Sequence, residues 1–240
     1  MKKIAFFVEG PTECYFVRKL LQEYTIKRSL IRTFEGSGGK KKARCFMLNY
    51  SDAQAGQDYL IHIYISSSDN RVNSDVRENL DSLHSSGFAT VIALKDLRGD
   101  KAPGVPKTLA DLPAMEHADQ IVLRHPHLSV DSVIAVMEIE TWFLAETNHY
   151  QAIDAGLTRA LIEANAGSFE ANPYTDDLTQ VTQPAEMLSQ IYHLIGKTYN
   201  KTEATRQRTI DALDFGNFYL NVPARLVKVQ DFFNILDRVF

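Results

Sequence analysis

The first 150 residues of the chain combine short apolar runs with amphipathic segments. A continuous apolar run predicts a strand that is buried on both faces, and strict alternation predicts a half-buried strand. Six segments fit one of these patterns: Arg28–Phe34, Ala43–Leu48, Ile4–Val8, Tyr59–Ser66, Thr90–Leu94 and Ser132–Met137. Strands that alternate with helices are typical of an α/β domain with a largely parallel sheet.

Helical spacing appears between these strands and dominates the rest of the chain. Phe16, Val17, Leu20 and Leu21 have the spacing of one helix face, and Pro11 suits a first helical position, where an N–H has no partner. The other predicted helices are Asn70–Ser85, Thr108–His117, Thr158–Asn165, Pro184–Ile195, Thr202–Leu213 and Ala224–Val239. We therefore predict an α/β core over residues 1–150 and a helical elaboration over residues 151–240, packed together as one compact unit.

Composition excludes several classes of protein. The apolar fraction of 45% and the aromatic fraction of 10% are globular values, which excludes a disordered chain. No apolar run approaches the roughly 20 residues of a membrane helix. Glu9 interrupts the first apolar run too early for a secretory signal, and two cysteines, Cys14 and Cys45, are too few for a disulfide framework. We expect a cytoplasmic protein without a membrane partner.

Charge is distributed unevenly along the chain. The formal net charge is −4, yet residues 1–50 hold 11 basic and 4 acidic residues. Such asymmetry suggests a polyanionic partner for the basic part. Its densest segment is Lys40, Lys41, Lys42 and Arg44 after a glycine-rich turn, which is suited to following the phosphate backbone of a nucleic acid. The alternative interpretation is a solvated loop.

Acidic residues follow three of the predicted strands. Glu9 follows the first strand, with Glu13 one helical turn later; Asp96 follows another, and Glu138 and Glu140 a third. Ligands of open parallel sheets bind at the carboxyl ends of the strands. Clustered carboxylates favour a neutralising cation, and oxygen ligands suit Mg²⁺ or Mn²⁺, which can activate water for phosphodiester cleavage. The alternative is structural: Glu13 in particular can complement a helix dipole.

Several of these segments resemble a known family. Glu9–Glu13 (EGPTE) is similar to the E-G-x-T-E opening of Toprim-fold domains, particularly those of OLD-type nucleases, and Asp96 stands where that fold has its acidic D-x-D strand end. Glu138–Ala145 (EIETWFLA) resembles the E-x-E-x-W-x-L-A segment of an uncharacterised bacterial family of stand-alone Toprim-like proteins. Pro184, which precedes a predicted helix, and Tyr199–Lys201, which follow it, resemble the C-terminal half of that family.

The resemblance implies a Toprim-like fold and Mg²⁺-dependent (or Mn²⁺-dependent) hydrolysis of nucleic acid, in a setting such as phage defence. It implies that Glu9 is a metal ligand or general acid/base and that Asp96 is the principal metal ligand. Glu13, Glu138 and Glu140 are then further ligands or groups that support them.

Arg98 departs from this pattern, because it occupies the second acidic position of D-x-D. An arginine there can bind a phosphate directly, pair with a neighbouring carboxylate, or mark a site that has lost two-metal chemistry. Lys201 is a further candidate for a phosphate contact. Two alternatives to a nuclease follow: a non-catalytic module that binds nucleic acid or a partner ATPase encoded nearby, and a metal-dependent hydrolase of small phosphorylated molecules. The sequence leaves the oligomeric state open.

The remaining histidine, tryptophan and cysteine candidates are interpreted as surface or core residues. His117, His125 and His127 fit no structural zinc module, and we interpret them as surface histidines. Trp142 is predicted to anchor the Glu138–Glu140 segment in the core, and Cys14 to be a buried small side chain.

Overall fold

The computed structural model describes residues 1–26, 28–35, 58–66, 69–102 and 104–240. The predicted strand Ala43–Leu48 and the basic residues Lys40, Lys41, Lys42 and Arg44 lie outside the described residues, and so their roles stay predictions.

Parallel strands form the central sheet. They are β1 (Lys2–Val8), β2 (Ser29–Glu35), β3 (Tyr59–Ile65), β4 (Thr90–Asp96) and β7 (Ser129–Ala135), and a short antiparallel pair consists of β5 (Asp100–Ala102) and β6 (Val105–Pro106). The order in the five-stranded sheet is β2-β3-β1-β4-β7, with all strands parallel. The predicted α/β class with a parallel sheet is confirmed.

Helices connect several of the strands and make up the regular structure of the described chain after β7. They are α1 (Pro11–Tyr24), α2 (Asp69–Ser85), α3 (Leu112–Val122), α4 (Glu140–Ala145), α5 (His149–Ile153), α6 (Arg159–Ala164), α7 (Pro184–His193), α8 (Glu203–Ala212), α9 (Phe215–Leu220) and α10 (Val227–Val239). Within the described ranges, none of these helices has the length and apolar character needed to cross a membrane.

The central strands are apolar because both of their faces are covered. Residues 4–8 of β1 are fully buried, and every position of β4 is buried. In the sheet register Val8 lies opposite Ile65 of β3 and Leu94 of β4. The strands that precede Glu9, Asp96 and Glu138, namely β1, β4 and β7, are therefore consecutive in the sheet.

The described chain packs as two compact units. The first unit contains residues 1–95, 111–134 and 235–240, and the second contains residues 96–110 and 135–234. This division does not follow the predicted boundary at residue 150. In the first unit, Val72, Val76 and Leu80 of α2 pack with Val91 and Ala93 of β4.

In the second unit the buried Trp142 lies with its ring centroid 5.6 Å from that of Phe232 and 6.4 Å from that of Phe218. The predicted role of Trp142 as a core anchor is confirmed.

Two element boundaries differ from the sequence prediction. The strand predicted over Ser132–Met137 ends at Ala135, because Met137 adopts a left-handed backbone with φ of 60° that turns the chain away from an extended path. The helix predicted over Thr108–His117 begins at Leu112. Leu109–Asp111 before it form a short 3-10 helix, and Pro113 lies in the first turn of α3, where its missing N–H would have had no helical partner.

Candidate functional site

Charged side chains of the second unit gather around the turn between β7 and α4. They are Asp96, Arg98, Glu138, Glu140 and Lys201. The sequence predicts each of them as a ligand for a metal or a phosphate, and the structure brings all of them together.

Glu138 is the centre of this cluster. Its Oε1 accepts hydrogen bonds from Arg98 Nη1 and, at 3.0 Å, from Lys201 Nζ. Its Oε2 accepts the backbone N–H of Ala185 at 3.3 Å. The Glu138 side chain is only 4% exposed, whereas those of Arg98 and Lys201 are 50% and 39% exposed. Of the three interpretations of Arg98, pairing with a neighbouring carboxylate is the one observed.

Glu140 forms the buried floor of the cluster. It is fully buried, and its Oε1 accepts the Tyr199 hydroxyl at 2.7 Å. Its Oε2 lies 3.2 Å from Lys201 Nζ but makes no hydrogen bond. Lys201 therefore faces two carboxylates at once, and Glu140 retains an oxygen with unused hydrogen-bonding capacity.

Asp96 holds the turn in place from the end of β4. Its side chain is buried, and its Oδ1 accepts the backbone N–H of Ile139 at 3.0 Å. Ile139 stands between Glu138 and Glu140, so this bond fixes the backbone from which both glutamates project.

The ionisable groups of the cluster are shifted in opposite directions. Burial opposes ionisation of Glu138, but Lys201 and Arg98 outweigh it and hold the pKa of Glu138 below its usual value. Burial raises the pKa of Glu140. Burial also disfavours the charged form of Lys201, yet Glu140 and Glu138 raise its pKa well above the usual value. Two carboxylates separated by one residue thus differ in their tendency to hold a proton, a pattern typical of sites with acid–base chemistry.

Strained backbone flanks the cluster. Three non-glycine residues in the described ranges have positive φ, and two of them are Met137, with φ of 60°, and Lys201, with φ of 56°. Each such residue costs of order 1–3 kcal/mol and persists only where surrounding contacts hold it. Met137 directly precedes Glu138, and Lys201 directly contacts it, so the strain coincides with the charged cluster.

Glu9 and Glu13 belong to the first unit. Glu9 directly follows β1 and is partly buried. Glu13 is buried and its Oε2 accepts the backbone N–H of Gly10, the N-cap residue of α1, at 2.8 Å. The bond gives Glu13 a structural role at the start of the helix, the alternative to metal binding that the sequence also allows. Among the described residues, no group of three or more His, Cys, Asp or Glu side chains is arranged to hold a metal ion.

The histidines and the cysteine considered as reactive or metal-binding residues lie apart from the cluster. His125 and His127 meet His84, with ring centroids 5.0–6.0 Å apart. Cys14 is buried, which raises the pKa of its thiol to about 12, and the prediction of a buried small side chain is confirmed.

Glu146 is a further buried acid. Its carboxylate accepts the backbone N–H groups of Asn148 and His149 at 3.0 Å and of Asp214 at 3.3 Å. These bonds give it a structural role at the starts of α5 and α9.

The sequence pattern does not reveal two members of the cluster. Tyr199 and the backbone N–H of Ala185 bind Glu140 and Glu138, yet neither carries a charge that would mark it. The only signal is the resemblance of Pro184 and Tyr199–Lys201 to the Toprim-like family.

The cluster lies within a segment that is shared with other proteins. A family model described as a domain of unknown function (DUF4276) matches residues 8–212, which include Glu9 and the whole cluster from Asp96 to Lys201. No curated protein and no solved structure matches the chain. The family description assigns no activity, so the Toprim resemblance stays a prediction. Because the match covers most of its length, the chain belongs to the DUF4276 family.

Proposed function

We propose that the protein is a Mg²⁺- or Mn²⁺-dependent phosphodiesterase that acts on nucleic acid. The observation that carries the proposal is the cluster itself: Asp96, Glu138 and Glu140 meet Arg98 and Lys201 beside the carboxyl ends of β4 and β7. Carboxylates and cations in one place are what phosphoryl chemistry requires, since a phosphodiester carries negative charge that both a metal and basic groups neutralise.

The donor set suits a hard divalent cation. All candidate ligands are carboxylate oxygens, and Glu140 Oε2 is buried without a hydrogen bond. Mg²⁺ usually takes one or two protein carboxylates and completes its coordination with water and substrate phosphate, so a three-carboxylate cage is not needed. Asp96 and Glu138 are the proposed ligands, and the metal would supply charge neutralisation and an activated water.

The basic residues have a separate role toward the substrate. Arg98 is half exposed and its guanidinium can donate two parallel hydrogen bonds to a phosphate. Lys201 supplies a second positive charge, and Glu140 with Tyr199 holds it from the buried side. Glu9 lies in the first unit, and its role as a metal ligand or general acid/base is proposed from the Toprim resemblance alone.

The test is a metal titration coupled to cleavage of labelled single- and double-stranded DNA and RNA, with a mononucleotide as a small substrate. We expect metal-dependent cleavage of a polynucleotide, reduced at least about 100-fold in Asp96→Asn and in Glu9→Gln. Glu163→Gln is the matched control, because Glu163 forms a surface pair with Arg159 on α6. Equal activity in all four proteins would indicate a contaminant and would overturn the proposal. Cleavage of the mononucleotide alone would replace nucleic acid with a small phosphorylated substrate.

A second candidate is a non-catalytic module that binds nucleic acid or a partner ATPase. It is favoured by the pairing of Arg98 with Glu138 at the position where a second acid is expected. This candidate predicts binding of nucleic acid or of that ATPase without Mg²⁺ or Mn²⁺ binding. A role in phage defence stays a prediction from resemblance under both candidates.

A further inference from the structure

The Glu138 carboxylate receives the same kinds of donor, two cations and a helix N-terminus, that would bind an anionic ligand. Two cations donate to its Oε1, and the N-terminus of α7 donates to its Oε2 through Ala185 N–H. Helix N-termini attract anions because their first N–H groups lack partners and the helix dipole is positive there. Pro184 occupies the first helical position of this ten-residue helix, so Ala185 offers the first available N–H.

The arrangement exposes the cations and hides the anion. Glu138 is 4% exposed, whereas Arg98 and Lys201 are 50% and 39% exposed. An anion that arrives from solvent therefore meets the two basic side chains first, and the internal carboxylate already occupies the position between them.

The basic groups have anchors that do not depend on Glu138. Lys201 Nζ lies 3.2 Å from Glu140 Oε2, a fully buried oxygen that makes no hydrogen bond. Arg98 is fixed at its backbone, where its N–H donates to Met137 O at 2.9 Å. If the Glu138 side chain moves away, Glu140 still holds Lys201 Nζ, and the backbone bond still fixes the point from which the Arg98 side chain extends.

We propose that Arg98, Lys201 and Ala185 N–H form a phosphate-binding subsite that Glu138 masks in the free protein. The proposal rests on the proposed function, since it assigns a phosphate group of the substrate to a subsite of the same site. Phosphate displaces the Glu138 carboxylate, which leaves the subsite, and no covalent bond changes. The fraction of molecules with Glu138 displaced then limits apparent phosphate affinity.

The test measures binding of inorganic phosphate and of a 5′-phosphorylated dinucleotide by titration calorimetry in EDTA. We expect Glu138→Ala and Glu138→Gln to bind both probes about tenfold more tightly than the wild-type protein, because the internal competitor is removed or uncharged. Adding Arg98→Gln to Glu138→Gln should abolish the gain, and Glu163→Gln should bind as the wild-type protein does.

Stability gives a second measurement in case Glu138→Ala folds poorly. We expect phosphate to raise its melting temperature more than sodium chloride of equal ionic strength does, as for any ligand that binds only the folded state. The proposal is overturned if neither Glu138 variant binds phosphate more tightly than wild type, or if the gain persists without Arg98. These measurements need no metal and no turnover. If the wild-type protein is inactive but the Glu138 variants bind phosphate more tightly, only the nuclease proposal is refuted. If the wild-type protein is active but the variants bind phosphate no more tightly, only the masked subsite is refuted.

Discussion

Each unit contains a cluster of charged side chains, and the two clusters differ in their access to solvent. In the first unit, Lys95 Nζ lies 2.7 Å from Asp119 Oδ1, and their side chains are only 6% and 3% exposed. Asn73 donates to the same Asp119 oxygen at 2.7 Å, and Ser132 donates to Asp119 Oδ2 at 2.5 Å.

The cluster of the second unit is buried at its floor, where Glu140 lies, and exposed at its rim, where Arg98 lies. Glu140 is fully buried and Arg98 is half exposed. The backbone is strained at Lys201 in the cluster and at Met137 beside it. Buried charges by themselves therefore do not mark a functional site. A closed network with every group paired stabilises the fold, whereas exposed cations over buried acids can exchange partners with a ligand.

The largest loss of stability is expected when the closed network of the first unit is broken. Asp119→Ala leaves the Lys95 ammonium buried without its carboxylate, and we expect a loss of about 3–5 kcal/mol in the free energy of unfolding. Denaturation in urea measures this loss. Phosphate affinity of the second unit should not change.

Two matched variants test the cause of that loss. Lys95→Met combined with Asp119→Leu should recover most of the stability, because no charge is then left buried. Arg71→Gln removes a half-exposed ion pair on α2 and should cost less than about 0.5 kcal/mol. A loss below about 1 kcal/mol for Asp119→Ala would contradict the interpretation of this network as a stabilising one.

A smaller effect is expected at the floor of the second cluster. Tyr199→Phe removes the hydroxyl that donates to buried Glu140 at 2.7 Å and should cost about 1–3 kcal/mol in the free energy of unfolding. Tyr219→Phe, at a ring that is 41% exposed, should lie within about 0.5 kcal/mol of the wild type. Equal losses in the two variants would show that the Tyr199 contact contributes nothing specific.

The smallest expected effect is the dependence of stability on pH through His62 of the first unit. Burial, with smaller contributions from Arg32 and Lys3, lowers the pKa of His62 from 6.5 to about 4 in the folded protein. Between these values the unfolded chain binds a proton that the folded chain does not, so stability falls as pH falls from 6.5 to 4. Because His62 is only half buried, we expect about 1 kcal/mol over this range.

A series of unfolding curves from pH 7 to pH 4 for wild type and His62→Gln measures this effect. The variant should lose about 1 kcal/mol less than the wild type over that range. Parallel curves for the two proteins would rule out His62 as the cause.

Much of the α/β sheet could be predicted from the sequence, because residues buried on both faces leave continuous apolar runs. Ile4–Val8 and Thr90–Leu94 are such runs, and both lie inside observed strands. The helix α5 could not be found in this way, since its five residues are too few to show helical periodicity.

The site could be predicted only in part. Asp96 and the Glu138–Glu140 pair could be predicted because each follows an apolar run that predicts a strand. The bond from Lys201 to Glu138 spans 63 residues, and a single sequence contains no signal for such a contact. The pairing of Lys95 with Asp119 is hidden for another reason: charged residues are normally read as exposed.

The most direct test of the proposed metal site is a Mn²⁺ titration followed by electron paramagnetic resonance, with wild type, Asp96→Asn and Glu163→Gln. Bound Mn²⁺ loses the sharp signal of the free ion, so the titration counts bound metal without any substrate. We predict saturable binding to wild type and to Glu163→Gln, and binding at least about tenfold weaker to Asp96→Asn. Absence of saturable binding to the wild-type protein, or equal binding to all three proteins, would contradict a metal site at Asp96.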